Sequence, residues 1–475
     1  MIKFLALIIV IAIFFVSFFN WRTAVKSVFF ILVIEGALRK WLLPQASEMI
    51  YFLKDLVLLG AYIKYFLFLR NEKKIPITNN FINIIIFIVA GWCLVQALNP
   101  SLGSPLVGLL GLKAYLFYVP LIWILPTIFE TEEDFYKFLR TQFLLIFLTG
   151  IIGILQFYSP VSSPINAYAG DTNVQVATFG FGASSAVRVS GTFSYINSYS
   201  GYLFVCFGLL VPMLTLRQTK LWLWLSIGEF FLIIINSVMN GSRTVTLASV
   251  LFLLGYIGIR GISQPSNTLR WLFKFSLPVI VVAIVIGICF APAIDQFSRR
   301  TTKNQDISER ISGSLSEPLK FIKYKDLDGY GAGATHPGTP TLRRGLGLPA
   351  GEIIPVGFEG EMGRIVLELG PIGFILWYGM RISIAIALLL VFWKLKRPFL
   401  RQLALAASLI QLIWLNGQLV FHHTFSVYFW FLTSFIFLLP RLEQMANWQQ
   451  QLYWWQLHVQ SAHLPDSPDG ESELP

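Results

Sequence analysis

The chain has 475 residues, of which 55% are hydrophobic, 15% aromatic and only 13% charged, with a mean hydropathy of +0.67. That composition lies outside the range of water-soluble domains and calls for lipid as the solvent. The formal net charge of +11 would suit nucleic acid, but Lys and Arg are scattered through short segments instead of forming a basic stripe, so a nucleic-acid partner is excluded and the charge is expected to set topology.

Apolar stretches near the length of about 20 residues that a bilayer requires recur along the chain. The expectation is an all-α, polytopic membrane helix bundle over 1–440, followed by a tail over 441–475. The first run, Phe4 to Phe19 behind Lys3, has no small-residue cleavage site before Trp21 and Arg22, so it reads as a retained helix and not a signal peptide. Spans are expected at 3–19, 25–43, 48–69, 79–97, 104–127, 136–158, 198–216, 220–238, 244–260, 270–291, 371–393, 399–418 and 424–440. Glu35, Arg39 and Lys40 interrupt the second, which is expected to be re-entrant or to end early, leaving a count of 12 or 13. No internal repeat is visible. Cys93, Cys206 and Cys289 all lie in apolar runs and read as small buried hydrophobes, with no disulfide, metal site or cofactor implied.

Basic residues fall in alternate connections: Arg70, Lys73 and Lys74; Lys137 and Arg140; Arg217 and Lys220; Arg260, Arg270 and Lys274; Lys394, Lys396, Arg397 and Arg401; and Arg441. The positive-inside rule makes those connections cytoplasmic. The others then face outward, and two are long: 159–197, rich in Ser, Gly and Asn, and 292–370. Loops of that length in a compact protein usually carry function. Beyond Pro440, Trp448, Leu452, Tyr453, Trp454 and Trp455 suggest a helix lying in the cytoplasmic interface. The acidic, Pro-containing end from Pro465 to Glu473 is expected to be disordered.

Ionisable side chains at membrane depth mark pathways or sites by default. Lys113 lies within the fifth span, Arg188 before the seventh, Arg243 at the end of the eighth, and Glu359, Glu361, Arg364 and Glu368 lead into the span near Gly370. Together they bring cations from separate segments to one side, which suits an anionic ligand such as a lipid phosphate or diphosphate. Plainer roles exist. Arg188 and Arg243 could snorkel at an interface, and Glu361, Arg364 and Glu368 could form a ladder on a helix surface. His336, in what reads as a flexible Gly-rich loop from Gly331 to Gly338, is a general base or an unengaged side chain, and His422 and His423 read as interface residues. Arg381, Glu229, Glu35 and Asp55 are expected to be buried and to pair among themselves.

Several short motifs in order, Gly150-Ile-Ile-Gly-Ile-Leu-Gln156, Arg188-Val-Ser-Gly-Thr-Phe-Ser-Tyr-Ile-Asn197, Asn240-Gly-Ser-Arg243-Thr, Gly329-Tyr-Gly-Ala-Gly333 and Glu368-Leu-Gly-Pro-Ile-Gly373, resemble the O-antigen ligase and O-antigen polymerase superfamily over about 100–440. The segment Glu35-Gly-Ala-Leu-Arg-Lys-Trp41 looks like members assigned to exopolysaccharide synthesis. The resemblance implies a metal-independent glycosyltransferase with a polyprenyl-diphosphate-linked donor, at the outer face of a bacterial inner membrane. A glycan or lipid acceptor and polysaccharide export and chain-length proteins would be its partners. It places Arg188, Arg243 and Lys113 on the diphosphate. Arg343, Arg344 and Arg364 are added as candidates for the carrier's head group. Ligases commonly carry a His-Asn pair where this chain has Glu359-Gly360, so Glu359, Glu361 or His336 is expected to take the acceptor proton. A flippase or transporter of the same lipid-linked glycan would also need such cations, but would be expected to show repeat symmetry and midplane charges. A scaffold with no site would tolerate neutral substitutions of Lys113, Arg188 and Arg243.

Overall fold

The computed structural model describes residues 2–70, 74, 77, 80–170, 176–179, 186–216, 218–295, 298, 313, 316–325 and 327–462. The elements in chain order are α1 (Ile2–Phe19), α2 (Trp21–Ala37), α3 (Ser47–Tyr51), α4 (Leu53–Ile63), α5 (Phe81–Ala97), α6 (Pro105–Leu116), α7 (Leu121–Ile128) and α8 (Glu132–Tyr158). A short antiparallel pair, β1 (Thr178–Phe179) and β2 (Ala186–Val187), follows, with Thr178 opposite Val187. Then come α9 (Ile196–Leu214), α10 (Lys220–Met239), α11 (Arg243–Ser263), α12 (Pro265–Cys289), α13 (Thr339–Leu346), α14 (Glu361–Lys394), α15 (Pro398–Ile413), α16 (His423–Thr433) and α17 (Phe435–Ala462).

Helix lies at every expected span, but not always as one membrane-crossing rod. Seven helices among the described residues are long and apolar enough to cross a membrane, and α6 with α7, bent by 42°, makes an eighth. The shortfall against 12 or 13 has local causes. Helix α2 gives way to a π turn at Leu38–Leu42, where Arg39 and Lys40 turn into the protein. The third expected span is split into α3, α4 and a π turn at Lys64–Phe68. Helix α5 and the described apolar parts of α1 and α12 fall short of full length. Helix α14 breaks at Gly370 (φ 69°, ψ 177°) ahead of Pro371, so its long segment starts where the sequence indicated and Glu361–Leu369 forms a separate lead-in.

Helix starts follow local chemistry. Asn80, Ser104 and Thr131 accept from the backbone N–H groups of Asn83, Leu106 and Asp134, satisfying amides that lack a helical partner. Three acids, Glu132, Glu133 and Asp134, occupy the first turn of α8, where the helix dipole favours them. Aromatic packing fills the interior: Phe29, Phe129, Phe135, Phe138, Phe431 and Phe435 form one contiguous cluster joining α2, α8, α16 and α17. Exposed Phe15, Phe87, Ile151, Leu254 and Ile375 lie on outward faces, as lipid-facing side chains do.

The bundle has two chemically different ends. At one, Arg22 meets Glu130, Lys26 meets Asp134 and Arg397 meets Glu132, and Glu443 accepts the backbone N–H groups of Lys396 and Arg397. Two cations assigned there by sequence are buried. Arg140 is 3% exposed and lies 3.6 Å from Glu229, and Arg260 is buried within α11. Arg217, Lys73 and the tail from 463 onward lie outside the described residues. The Trp-rich segment is no separate interfacial helix; α17 runs unbroken from Phe435 through Pro440 to Ala462.

Candidate functional site

The other end is organised around residues 188–197. Gln156, 1% exposed, accepts from the backbone N–H groups of Ser190 (3.1 Å) and Gly191 (2.8 Å) and donates to the carbonyls of Gly191 and Ile165. Asn240 holds the other side: its side-chain N–H donates to the carbonyls of Val189 (2.8 Å) and Ile196 (3.3 Å), and its Oδ1 accepts from Ser200 (2.7 Å). The Asn240 carbonyl accepts from Arg188 Nε at 3.1 Å. Arg188 is thereby fixed to the same turn that, three residues later, starts α11 with Arg243. Nη1 of Arg243 is buried with no hydrogen-bond partner.

The second span closes over the same loop. Gly36 approaches so closely that a Cβ there would lie 2.2 Å from the Ser194 backbone nitrogen. Arg39 donates to Ser194 (2.9 Å) and Ser47 (3.1 Å), and Lys40 donates to the Gly191 carbonyl (2.6 Å) and Ser190 (3.2 Å). Glu35 pairs with Lys54 at 2.8 Å and with Arg39 at 3.5 Å, while Asp55 pairs with Lys113 at 2.8 Å and accepts from Tyr118. The buried charges expected to pair among themselves instead each have another partner: Glu35 with Lys54 and Arg39, Asp55 with Lys113, Glu229 with Arg140, and Arg381 with Glu361. Lys113 therefore has its own carboxylate, and it also lies over the rings of Tyr51 and Phe52.

The Gly-rich segment is not a flexible loop. Residues 329–333 are buried, and Tyr330, Gly331 and Ala332 donate to the carbonyls of Leu367, Glu368 and Gln96. Three glycines with φ of 66°, 92° and 94° (Gly329, Gly331 and Gly333) permit that path. Glu368, 0% exposed, locks it: one oxygen accepts from the Thr335 N–H (2.7 Å) and hydroxyl (2.8 Å), the other from Tyr115 (2.9 Å). Glu361, also fully buried, pairs with Arg381 at 3.4 Å and accepts from the Leu419 and Val420 N–H groups. Both acids are committed to structure. They form no surface ladder, and Glu361 is unavailable as a base.

His336 follows this plug. Its Nδ1 accepts from the Gly338 N–H at 2.9 Å, so the neutral ring carries its proton on Nε2 and acts there as a donor, which removes it as a general base. Burial, with Lys113 and Arg364 facing it, depresses its pKa to about 4. Because the folded value lies below the ordinary one near 6.5, this residue contributes stability above pH 6.5 that is lost as pH falls toward 4. His336→Gln should accordingly show a smaller loss of thermal stability than wild type between pH 6.5 and 4, measured on the detergent-solubilised protein. An equal loss would place the acid-sensitive group elsewhere.

The remaining candidates separate. Arg364 lies over the rings of Phe358 and Phe421, at 5.1 and 4.8 Å, and its Nε is buried without a partner. Arg343 donates to the Leu102 carbonyl (3.0 Å) through Nη2 and ties α13 to the turn before α6, while its Nε is buried without a partner. Arg344 and Glu359 are exposed. His422 and His423, each 8% exposed, belong to this layer, with the His423 ring 6.3 Å from that of His336 and 5.4 Å from Tyr51. Sequence reasoning missed Lys54 and the hub role of Asn240. The available signals were a lysine beside Asp55 in an apolar run and an asparagine ending one helix three residues before the next. Comparison with family models, with curated proteins and with solved structures gives no match.

Proposed function

We propose that this chain is a membrane glycosyltransferase that polymerises or ligates glycan carried on a polyprenyl diphosphate. In this reading the layer holding Arg188 and Arg243 faces outward from a bacterial inner membrane, and the end holding Arg22, Arg397 and α17 faces the cytoplasm. The observation that carries it is the buried, unpartnered Nη1 of Arg243 in the unit that fixes Arg188, since a buried N–H donor without an acceptor is costly until a ligand supplies one. A diphosphate is already a good leaving group. The protein's work is to neutralise charge as the anomeric C–O bond breaks and the diphosphate takes the electron pair, while the acceptor oxygen forms the new bond. With Glu361 and Glu368 committed and His336 a donor, Glu359 is the carboxylate free to take the acceptor proton.

Cells lacking the chain should lose long polysaccharide and accumulate short lipid-linked glycan that an externally added glycosidase can cleave. Wild type should restore polymer, and Glu359→Gln should not. Accumulated glycan protected from the glycosidase would instead indicate that the chain moves it across the membrane.

A further inference from the structure

Arg364 stands apart from the Arg188 and Arg243 unit and has a different environment. Its guanidinium rests on two aromatic rings, so its flat surface is taken and its N–H edge is what remains. Glu368, four residues on, lends it charge, while its oxygens accept from Thr335 and Tyr115. Glu361, three residues back, is likewise taken by Arg381, Leu419 and Val420. His336, whose Nε2–H is left as a donor, lies with its ring 6.0 Å from that of Phe421, one of the two rings under Arg364. The set is thus two donors beside apolar ring faces. A diphosphate has no apolar face to offer the rings. A sugar ring has one, and a carboxylate on it matches a guanidinium edge with two parallel hydrogen bonds.

We propose that Arg364, framed by Phe358, Phe421 and His336, binds a carboxylate-bearing saccharide, the acceptor of the transfer reaction. This assignment rests on the glycosyltransferase reading. Glu359, the carboxylate assigned to the acceptor proton, is the residue next to Phe358 in the chain.

The test uses the full-length protein in detergent, heated with sodium glucuronate, inorganic pyrophosphate or glucose, and scored for the fraction that stays monodisperse. Glucuronate should protect wild type and Arg243→Gln alike, glucose should protect neither, and Arg364→Gln should need about ten-fold more glucuronate or more. Arg364→Lys, which keeps the charge but not the two-pronged edge, should fall between. Together with Phe421→Ala it carries the comparison if Arg364→Gln does not fold. An unchanged glucuronate response in these variants overturns the assignment, as does an Arg364→Gln protein that loses only its pyrophosphate response, which would give Arg364 to the carrier. If pyrophosphate fails to protect wild type while glucuronate protects through Arg364, the diphosphate reading falls and the saccharide site stands.

Discussion

Arg243→Gln is expected to remove long-chain polysaccharide from cells while short lipid-linked glycan accumulates and the protein stays at its normal level in the membrane. Loss of one preorganised charge donor at a site of developing negative charge slows reactions by about 10²–10³-fold. Arg188 already spends its Nε on the Asn240 carbonyl, so it cannot shift without opening the turn that starts α11. Arg243→Lys should restore part of the polymer, because an ammonium supplies charge without the planar fork. Polymer of normal length and amount from Arg243→Gln, read on the same gel beside wild type, would remove this residue from the site and leave the scaffold reading.

Glu361→Ala should be the most damaging single change to stability. It leaves the buried Arg381 guanidinium, 1% exposed, without its carboxylate, keeping the Trp414 carbonyl as an acceptor at 2.9 Å, and breaking one side of a buried pair costs about 3–5 kcal/mol. The Leu419 and Val420 amides lose their acceptor as well. Replacing the pair together, Glu361→Leu with Arg381→Met, should recover the charge penalty but not those two amides. The double variant is therefore expected between the single variant and wild type in the temperature at which the detergent-solubilised protein aggregates. A single variant as heat-resistant as wild type would mean that the charge finds compensation elsewhere.

Much of the architecture was legible because bilayer helices are written in runs of apolar residues, and the positions of α5, α8 to α11, α15 and the Pro371 start inside α14 follow from those runs. The number of full crossings was not: Arg39 and Lys40 flagged the break at Leu38–Leu42, but Lys64–Phe68 is apolar enough to read as helix while the backbone widens to π geometry. That Arg188 and Arg243 come together at one end of the bundle was also legible, since charge is too costly in lipid to be placed without a partner or a role. What each residue does there was not. Glu361, Glu368 and Arg364 share a spacing that implies mutual pairing, yet the acids are claimed by Arg381, Thr335 and Tyr115, residues brought close only by tertiary packing. His336 read as a base because histidine titrates near neutrality, and only the Gly338 contact reveals which nitrogen carries the proton.

The close seating of Gly36 on residues 192–194 also sets an order of events during biogenesis. When the segment carrying Arg39 and Lys40 is made, the groups that will accept their hydrogen bonds, Ser190, Gly191 and Ser194, are still some 150 residues from being synthesised. Until the 188–197 segment arrives, Lys40 lacks both of these acceptors and Arg39 lacks one of three, so the first helices have reason to remain at the translocation machinery or at the headgroup boundary and to settle only when that segment docks. The layer around residues 188–197 is therefore completed late and all at once.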